Sequence, residues 1–397
     1  MPIARKIKDV LGSQSMIRKM FEEGNRLKKE HGADKVFDFS LGNPDIEPPP
    51  AFHRVFLRLA KEDRKGSHAY MSNAGYPEVR EALAVKASRE QGATLDGSHI
   101  VMAAGAAGGL NVVFKSILDG GDEVIVPRPY FMEYRSYVGN HGGVLVEVDT
   151  RADFSLDLDA IKAALSPKTK AVLINSPHNP TGRVYPAADI EALGKLLAEQ
   201  GSPYLISDEP YREISYDGIV VPPILASYDN SIVVSSYSKS LSLPGERIGY
   251  IAVGPKAQDR EELLNALIYA TRILGFVNAP ALMQRIVAEL TFARVDVDIY
   301  ARRRDAFTRI LDEAGIAYAK PEGAFYLFCR VPPRKVSVSS GVEGDDLAFV
   351  EFLKRRLILG VPGSGFGKPG WLRFAYCVDE KIIKASGTAF KKSMESW

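Results

Sequence analysis

Short apolar runs alternate with longer amphipathic stretches between residues 51 and 290 of the chain. The runs are rich in Val and Ile and lack polar alternation, which is typical of strands that are covered on both faces. Helical stretches such as 189–199 lie between several of them, and this βαβ order predicts a mainly parallel sheet between helices. The predicted strands are 100–103, 123–126, 144–148, 171–175, 204–207, 232–235 and 250–253.

Both ends of the chain have a different pattern. A helical stretch at 17–29 is followed by a strand-like run at 36–40, and the prolines at 48–50 predict an extended segment that ends this part. After about residue 290 a charged helix (295–314), two strands (324–331 and 371–375) and a helix (345–357) are predicted.

The length of 397 residues exceeds what one hydrophobic core usually supports, so we expect two domains. Residues 51–290 would form the large domain. Residues 1–50 are too short to fold alone, so we expect them to join residues 291–397 in a smaller α+β domain.

Composition narrows the class of protein. With 46% hydrophobic and 25% charged residues the chain is an ordinary globular protein, and its net charge of +2 gives no reason to expect a nucleic acid or a membrane as partner. Two cysteines, Cys329 and Cys377, are too few for a disulfide framework or a metal cluster. The N-terminus lacks the apolar core of a signal peptide, and no apolar run has the length of a membrane span. We therefore expect a cytoplasmic protein.

Polar residues follow three successive predicted strands. Asn179 lies just beyond strand 171–175, Asp208 and Tyr211 follow strand 204–207, and Lys239 follows strand 232–235. A single lysine is usually a solvated surface group, and a single aspartate is often only a helix cap. Because ligands of open α/β sheets bind outside the carboxyl ends of the strands, these side chains together predict one site.

A turn of small residues, Gly105-Ala106-Ala107, follows strand 100–103 and opens a helix. Free backbone N–H groups at a helix N-terminus suit a phosphate, although tight strand-to-helix packing explains such a turn equally well. The glycine-rich segment 363–368 lacks the first P-loop glycine and is followed by Pro369. No zinc-binding pair or nucleophile elbow is present in the sequence, and we expect no metal.

The order and spacing of Asn179, Asp208, Tyr211, Lys239 and Arg247 resemble the class I/II aminotransferases among the fold-type I pyridoxal-phosphate enzymes. The resemblance covers nearly the whole chain, from the Gly-Asn-Pro-Asp segment at 42–45 to an arginine at 373. It implies an α/β fold whose large domain has a mainly parallel seven-stranded sheet, pyridoxal 5′-phosphate as cofactor, and a homodimer.

The resemblance also implies roles for these residues. Lys239 would hold the cofactor as a Schiff base and then move a proton between the substrate Cα and the cofactor. Asp208 would pair with the pyridinium nitrogen and keep the ring an electron acceptor. Asn179 and Tyr211 would hydrogen-bond the ring oxygen O3′.

Further residues would bind the cofactor phosphate or the substrate. Arg373 stands on an apolar strand, where a charge is costly unless paired, and it resembles the arginine that binds the substrate α-carboxylate. Gly42 would let the backbone approach the substrate, and Asn179 would contribute to the same site. The residues implied for the phosphate are Gly105, Ala106, Ala107, Ser236 and Arg247.

Two aromatic positions carry further implications. Tyr70, five residues before Gly75, resembles the tyrosine that reaches the cofactor phosphate of the partner subunit. Phe131 stands at the ring-stacking position, with Tyr130 as the competing register.

The chain departs from the family pattern at places that bear on its substrate. Ala106 and Ala107 bring no hydroxyl to the phosphate turn, and His178 stands where another polar residue is frequent. The distal arginine of dicarboxylate-specific members aligns near Ile273, with Arg272 one place away. One residue rotates a helical side chain by about 100°, so aspartate specificity does not follow, and alanine, branched or aromatic substrates suit the apolar surroundings equally.

These observations predict an aminotransferase that moves an amino group from an L-amino acid to 2-oxoglutarate or pyruvate by a ping-pong mechanism. The same residues serve C–S lyases and other fold-type I enzymes, because the outcome depends on which bond at Cα is aligned with the ring. A non-catalytic sensor joined to a DNA-binding module is a further alternative, but no winged-helix segment or basic tail accompanies the domain.

Overall fold

Helices and strands alternate along most of the chain in the computed structural model, which describes residues 3–4, 7–8, 16–334 and 345–397. The strands are β1 (Phe37–Asp38), β2 (Ile100–Ala103), β3 (Glu123–Arg128), β4 (Val144–Asp149), β5 (Thr169–Asn175), β6 (Tyr204–Asp208), β7 (Ser231–Ser236), β8 (Gly249–Val253), β9 (Tyr318–Ala319), β10 (Tyr326–Arg330), β11 (Ile358–Leu359), β12 (Val361–Pro362) and β13 (Trp371–Ala375). The helices are α1 (Met16–His31), α2 (Pro50–Lys61), α3 (Pro77–Gln91), α4 (Gly105–Ile117), α5 (Glu133–Gly139), α6 (Leu158–Ala164), α7 (Ala187–Glu199), α8 (Tyr237–Ser240), α9 (Arg260–Ile273), α10 (Ala281–Glu289), α11 (Val297–Glu313), α12 (Asp346–Lys354) and α13 (Glu380–Ser396).

A seven-stranded sheet in the order β2-β8-β7-β6-β5-β3-β4 carries the middle of the chain. Strands β4, β3, β5, β6 and β7 run parallel, and β8 is antiparallel to both of its neighbours. In β5, Val172 and Ile174 belong to one buried cluster whereas Ala171 and Leu173 belong to another, on the opposite face. Both faces are therefore covered, which explains why these strands lack polar alternation. The prediction of a mainly parallel sheet is confirmed.

A four-stranded antiparallel sheet, β12-β13-β10-β9, forms near the C-terminus. Beside it, β1 pairs in parallel with β11. Phe39, just after β1, packs on Phe307 of α11 with ring centroids 4.6 Å apart and joins the same buried cluster as Phe374 and Phe390. The N-terminal segment thus packs on C-terminal elements. The predicted domain boundaries at residues 50 and 290 stay predictions.

Several predicted boundaries differ from the structure. The prolines at 48–50 were expected to be extended, but Pro50 is the first residue of α2. Proline is tolerated there because the first N–H of a helix has no intrahelical partner. The helix predicted for 345–357 ends at Lys354, and Leu357 adopts a left-handed conformation (φ 62°) before β11 begins. The strand predicted for 36–40 is only the two residues that pair with β11.

Two observations concern whole classes of site. In the parts of the chain that the structure describes, no helix is long and apolar enough to cross a membrane. Over those same residues, no group of three or more His, Cys, Asp or Glu side chains is placed to hold a metal ion.

Candidate active site

A cavity of about 360 Å³ opens at the carboxyl ends of β5, β6 and β7, beside the first turn of α4. Most of the residues proposed from the sequence meet there, although they come from separate segments of the chain. The predicted residues that line the cavity are Gly42, Ala106, Ala107, Phe131, Asn179, Asp208, Tyr211, Ser236, Lys239, Arg247 and Arg373.

Lys239 lies on the short helix α8, directly after β7. Ser236 caps this helix, because its Oγ accepts a hydrogen bond from the backbone N–H of Ser238 at 3.0 Å. The Lys239 Nζ donates to the carbonyl oxygen of Gly42 at 2.7 Å. Burial lowers the pKa of Lys239 to about 8. The neutral form, which is the nucleophile, is therefore more populated near neutral pH than it is for an exposed lysine.

Asp208 is the last residue of β6 and is only 6% exposed. Its Oδ2 accepts a hydrogen bond from the Tyr134 hydroxyl at 2.6 Å, whereas its Oδ1 is buried without a partner. Burial raises the pKa of Asp208 to about 7. A buried carboxylate oxygen without a donor is costly, so a ligand that brings a cationic N–H to Oδ1 would stabilise the ionised form.

Arg247 and the first turn of α4 form one end of the cavity. The Arg247 backbone is left-handed (φ 52°), and its Nη1 donates to the Pro244 carbonyl oxygen at 2.9 Å. Gly105 has a φ of 73°, and a Cβ added there would lie 2.8 Å from Arg247 Nη2. The left-handed backbone favours glycine at 105, and a side chain there would displace the Arg247 guanidinium. A guanidinium beside a helix N-terminus suits an anion such as a phosphate.

Arg373, on β13, is 1% exposed and lies between two aromatic rings. Its guanidinium carbon is 4.4 Å from the Tyr326 ring centroid and 4.8 Å from that of Phe366. Nη1 donates to Asn179 Oδ1 at 2.9 Å and Nη2 to the Ser40 carbonyl oxygen at 2.7 Å, while Nε is buried without a partner. All of these contacts are uncharged, so a ligand carboxylate would supply the missing negative charge.

Tyr134 and Tyr326 are among the cavity residues to which the sequence analysis gave no role. Tyr134 binds Asp208, and the Tyr326 hydroxyl is hydrogen-bonded to the Tyr211 hydroxyl with 2.7 Å between the oxygens. The aromatic run at 129–134 was a usable signal for Tyr134. Tyr326 had none, because an aromatic residue on an apolar strand is ordinarily part of the core.

The two registers proposed for the stacking aromatic are distinguished by position. Phe131 lines the cavity. Tyr130 is fully buried beside it and donates its hydroxyl to Glu147 Oε1 at 2.6 Å. Of these two residues, Phe131 is therefore the one that can contact a ligand in the cavity.

Other residues singled out from the sequence lie outside the cavity. Tyr70 is 88% exposed, and Arg272 and Ile273 are exposed at the end of α9. His178 is buried, with Nδ1 2.8 Å from the Thr181 hydroxyl oxygen, and burial lowers its pKa to about 3. His178 is therefore neutral at physiological pH.

Pyridoxal phosphate fits this arrangement feature by feature. Its phosphate matches the anion site of Arg247 and α4, and its pyridine nitrogen, when protonated, is the cationic N–H that Asp208 Oδ1 lacks. Its aldehyde is an electrophile for the buried Lys239 amine. Arg373 is then left over for a carboxylate that does not belong to the cofactor.

Comparisons with known proteins agree with this fit. Residues 34–385 match the family model for aminotransferase class I and II. A probable aspartate/prephenate aminotransferase of Aquifex aeolicus is 34% identical over 371 residues, covering 91% of each chain. The crystal structure of an amino transferase from Eubacterium rectale, 39% identical, superposes with a TM-score of 0.93 and covers 100% of this chain and 99% of that one. An alanine aminotransferase from Pyrococcus furiosus is 28% identical, with a TM-score of 0.87 over 99% of each chain.

Proposed function

Since the chain belongs to the class I and II aminotransferases and is a pyridoxal-phosphate-dependent aminotransferase, we propose that it moves the amino group of an L-amino acid to a 2-oxo acid in two successive half-reactions. The observation that carries this proposal is the convergence of three groups on one cavity: the Lys239 amine, the unpartnered Oδ1 of Asp208 and the uncharged surroundings of Arg373.

Lys239 is the catalytic base and acid in this scheme. Its amine would bind the cofactor covalently. Once released, the amine would take the proton from the substrate Cα and deliver it to the cofactor carbon C4′, which is bonded to the transferred nitrogen. Burial lowers the pKa of Lys239, and this supports the role because the neutral amine is the form that binds the cofactor and takes the proton. When bound, pyridoxal phosphate supplies an electrophilic aldehyde and a ring that accepts electrons.

Asp208, Tyr211 and Asn179 would hold the cofactor ring. Asp208 Oδ1, which has no partner, would accept a hydrogen bond from the ring N–H. Tyr134 would keep the carboxylate in place through its hydrogen bond to Oδ2. Tyr211 and Asn179 would donate hydrogen bonds to the ring oxygen. Phe131 would cover the ring face from the cavity wall.

The phosphate would bind at the opposite end, where Ser236 and Arg247 meet the first turn of α4. Ala106 and Ala107 offer only backbone N–H groups there. Gly105 keeps the turn small enough for Arg247 to approach.

Arg373 would bind the substrate α-carboxylate. Asn179, which is hydrogen-bonded to Arg373, lies between this arginine and the cofactor oxygen and would contact both. The Gly42 carbonyl, which accepts from Lys239, would face the substrate.

A homodimer is part of the proposal. Tyr70 contributes nothing to the cavity of its own protomer and projects into solvent, 88% exposed. In a dimer this tyrosine would reach the phosphate end of the partner's cavity, and a monomer would be an incomplete enzyme.

The substrate pair is proposed from the cavity and the relatives together. The cations that line the described cavity are Lys239, Arg247 and Arg373, and each already has a role in this scheme. The 2-oxo acid is 2-oxoglutarate or pyruvate, and the amino donor is aspartate or an amino acid with an uncharged side chain. The names of the Aquifex and Pyrococcus proteins support these two donor classes.

We also infer a reducing compartment, the cytoplasm. The support is that Cys329 and Cys377 are both buried and unpaired, as is usual where thiols stay reduced.

The test is an absorbance titration of the cofactor-loaded protein with single L-amino acids and no oxo acid. Conversion of the visible band to that of the aminated cofactor, with release of the matching 2-oxo acid, is the expected result. Aspartate, alanine and phenylalanine should be compared at equal concentration, and the fastest one defines the donor class.

The alternative of a C–S lyase or another fold-type I enzyme predicts a different outcome. Such an enzyme would release product from an amino acid while the cofactor band returned to its starting form. That result with every amino acid would contradict the proposed function.

A further inference from the structure

Tyr326 is a buried cavity residue for which the scheme above has no role. It opens β10, its side chain is 2% exposed, and it lines the cavity. Its two ends make different contacts. The hydroxyl oxygen lies 2.7 Å from that of Tyr211, and the ring lies under the Arg373 guanidinium at 4.4 Å.

The position of this side chain is tightly fixed. A Cβ added to Gly42 would lie 2.0 Å from the Tyr326 hydroxyl oxygen and 2.8 Å from its Cζ. Gly42 in turn accepts a hydrogen bond from Lys239 Nζ at 2.7 Å. The backbone at Gly42 therefore presses against Tyr326 on one side, while the Tyr211 hydroxyl stands on the other.

In the hydrogen bond between Tyr211 and Tyr326, either hydroxyl can be the donor. Tyr211 has one proton, so if it donates that proton toward the cofactor, its oxygen is free to accept a hydrogen bond. The Tyr326 hydroxyl is the donor in position to complete that chain. A hydroxyl that accepts a hydrogen bond becomes a stronger donor itself, so Tyr326 would strengthen the bond from Tyr211 to the cofactor.

The positive charge of Arg373 acts on both hydroxyls. Burial raises the pKa of both phenols, to about 12 for Tyr326, and the Arg373 charge offsets part of that rise. Asp208 raises the pKa of Tyr211 further, and Cys377 raises that of Tyr326. A carboxylate that neutralised Arg373 would therefore change the environment of both hydroxyls.

We propose that Tyr326 is a positioning residue that orients the Tyr211 hydroxyl with its own hydroxyl and holds the Arg373 guanidinium with its ring. Through these two contacts it links carboxylate binding at Arg373 to the hydrogen bond that Tyr211 makes with the cofactor. The inference rests on the function proposed above, because it assigns Arg373 and Tyr211 their roles in that reaction.

Two variants separate the two contacts. Tyr326→Phe removes the hydroxyl and keeps the ring, and Tyr326→Leu removes both. Tyr228→Phe is the matched control, since its buried hydroxyl donates to the Pro203 carbonyl oxygen at 2.9 Å and lies outside the cavity. The readouts are the pH midpoint of the visible absorbance of the cofactor-loaded protein, and KM and kcat of the half-reaction.

In Tyr326→Phe, weaker donation by Tyr211 makes the cofactor oxygen more basic, so the pH midpoint should rise by about half a unit to one unit, with kcat lowered about three- to tenfold and KM nearly unchanged. Tyr326→Leu should in addition raise KM roughly tenfold, because Arg373 loses the ring that holds it. The control should match the wild type in all three quantities.

A double variant tests whether Tyr326 acts through the Tyr211 hydroxyl. In a Tyr211→Phe background the hydroxyl of Tyr326 has no partner to orient, so adding Tyr326→Phe should shift the midpoint no further. Additive shifts, an unshifted midpoint in Tyr326→Phe, or an unchanged KM in Tyr326→Leu would overturn the proposal. Failure of the wild-type protein to aminate its cofactor would refute the proposed function instead, and that measurement comes before any variant.

Discussion

The floor of the cavity and its open edge are built in opposite ways. On the floor, Asp208 and Arg373 are almost fully buried, and each is held by side chains of the same protomer. At the edge, Tyr70 is 88% exposed and Ile273 is 47% exposed, with no such support. The two segments of this edge, 70–73 and 273–277, are nevertheless joined, because Asn73 Nδ2 donates to the Val277 carbonyl oxygen at 2.6 Å.

The exposed segments lie beside the start of α4, where the phosphate site is proposed. Phe276 lies 3.6 Å from where a Cβ of Gly108 would be, in the first turns of α4. Exposed aromatic and aliphatic side chains gathered in one place are typical of an interaction surface. The difference teaches that one chain brings the buried groups of the cavity together, whereas the phosphate contact proposed for Tyr70 depends on the proposed homodimer.

The largest effect is expected on the floor, from Lys239→Ala. Loss of the amine removes both the covalent anchor and the proton carrier, so the half-reaction should slow by at least about a thousandfold. Stopped-flow absorbance with the best amino donor measures this. Lys256→Ala, at a lysine whose side chain is 77% exposed, is the control and should behave as the wild type. A variant at 239 that kept its rate would place the reactive amine elsewhere.

Asp208→Asn should have the second-largest effect. The amide keeps the size of the side chain and a partner for the Tyr134 hydroxyl, but it removes the negative charge next to the cofactor ring. Loss of one preorganised electrostatic contact typically costs about a hundred- to a thousandfold in rate, so the half-reaction should slow by that factor while the cofactor stays bound.

Cofactor retention after gel filtration and the half-reaction rate together measure this prediction. Asp229→Asn is the matched control, because the Asp229 side chain is 69% exposed. Full activity of Asp208→Asn would mean that the ring nitrogen pairs with another group.

The contrast between floor and edge also explains what the sequence could predict. The bounds predicted for strands β2 and β13 match those in the structure, because apolar runs bounded by turn residues are local signals. Lys239, Asp208 and Asn179 were found because each lies at or a few residues beyond the carboxyl end of a strand, in the order that the family resemblance implies. The contacts of Tyr134 and Tyr326 were missed, since their partners lie 74 and 115 residues away in the chain, and such separations leave no local pattern.

The smallest effect is expected at the edge, from Tyr70→Phe. One hydroxyl contact with the phosphate is at stake, so cofactor affinity should fall about tenfold, measured by fluorescence titration of the cofactor-free protein. Tyr269→Phe, at a tyrosine that is 62% exposed and does not line the cavity, is the control and should bind as tightly as the wild type.

Mixed dimers test whether Tyr70 acts on the cavity of its own protomer or on that of the partner. When equal amounts of Tyr70→Ala and Lys239→Ala protomers are mixed and pair at random, about half of the dimers are hybrids. If Tyr70 acts on the partner's cavity, each hybrid contains one site with an intact Lys239 and an intact tyrosine, and about a quarter of all sites recover wild-type cofactor affinity and rate. If Tyr70 served its own cavity, mixing would produce no site with wild-type affinity and rate. If it served no cavity, the Tyr70→Ala protein alone would already behave as the wild type. Either result would leave the open edge to another explanation.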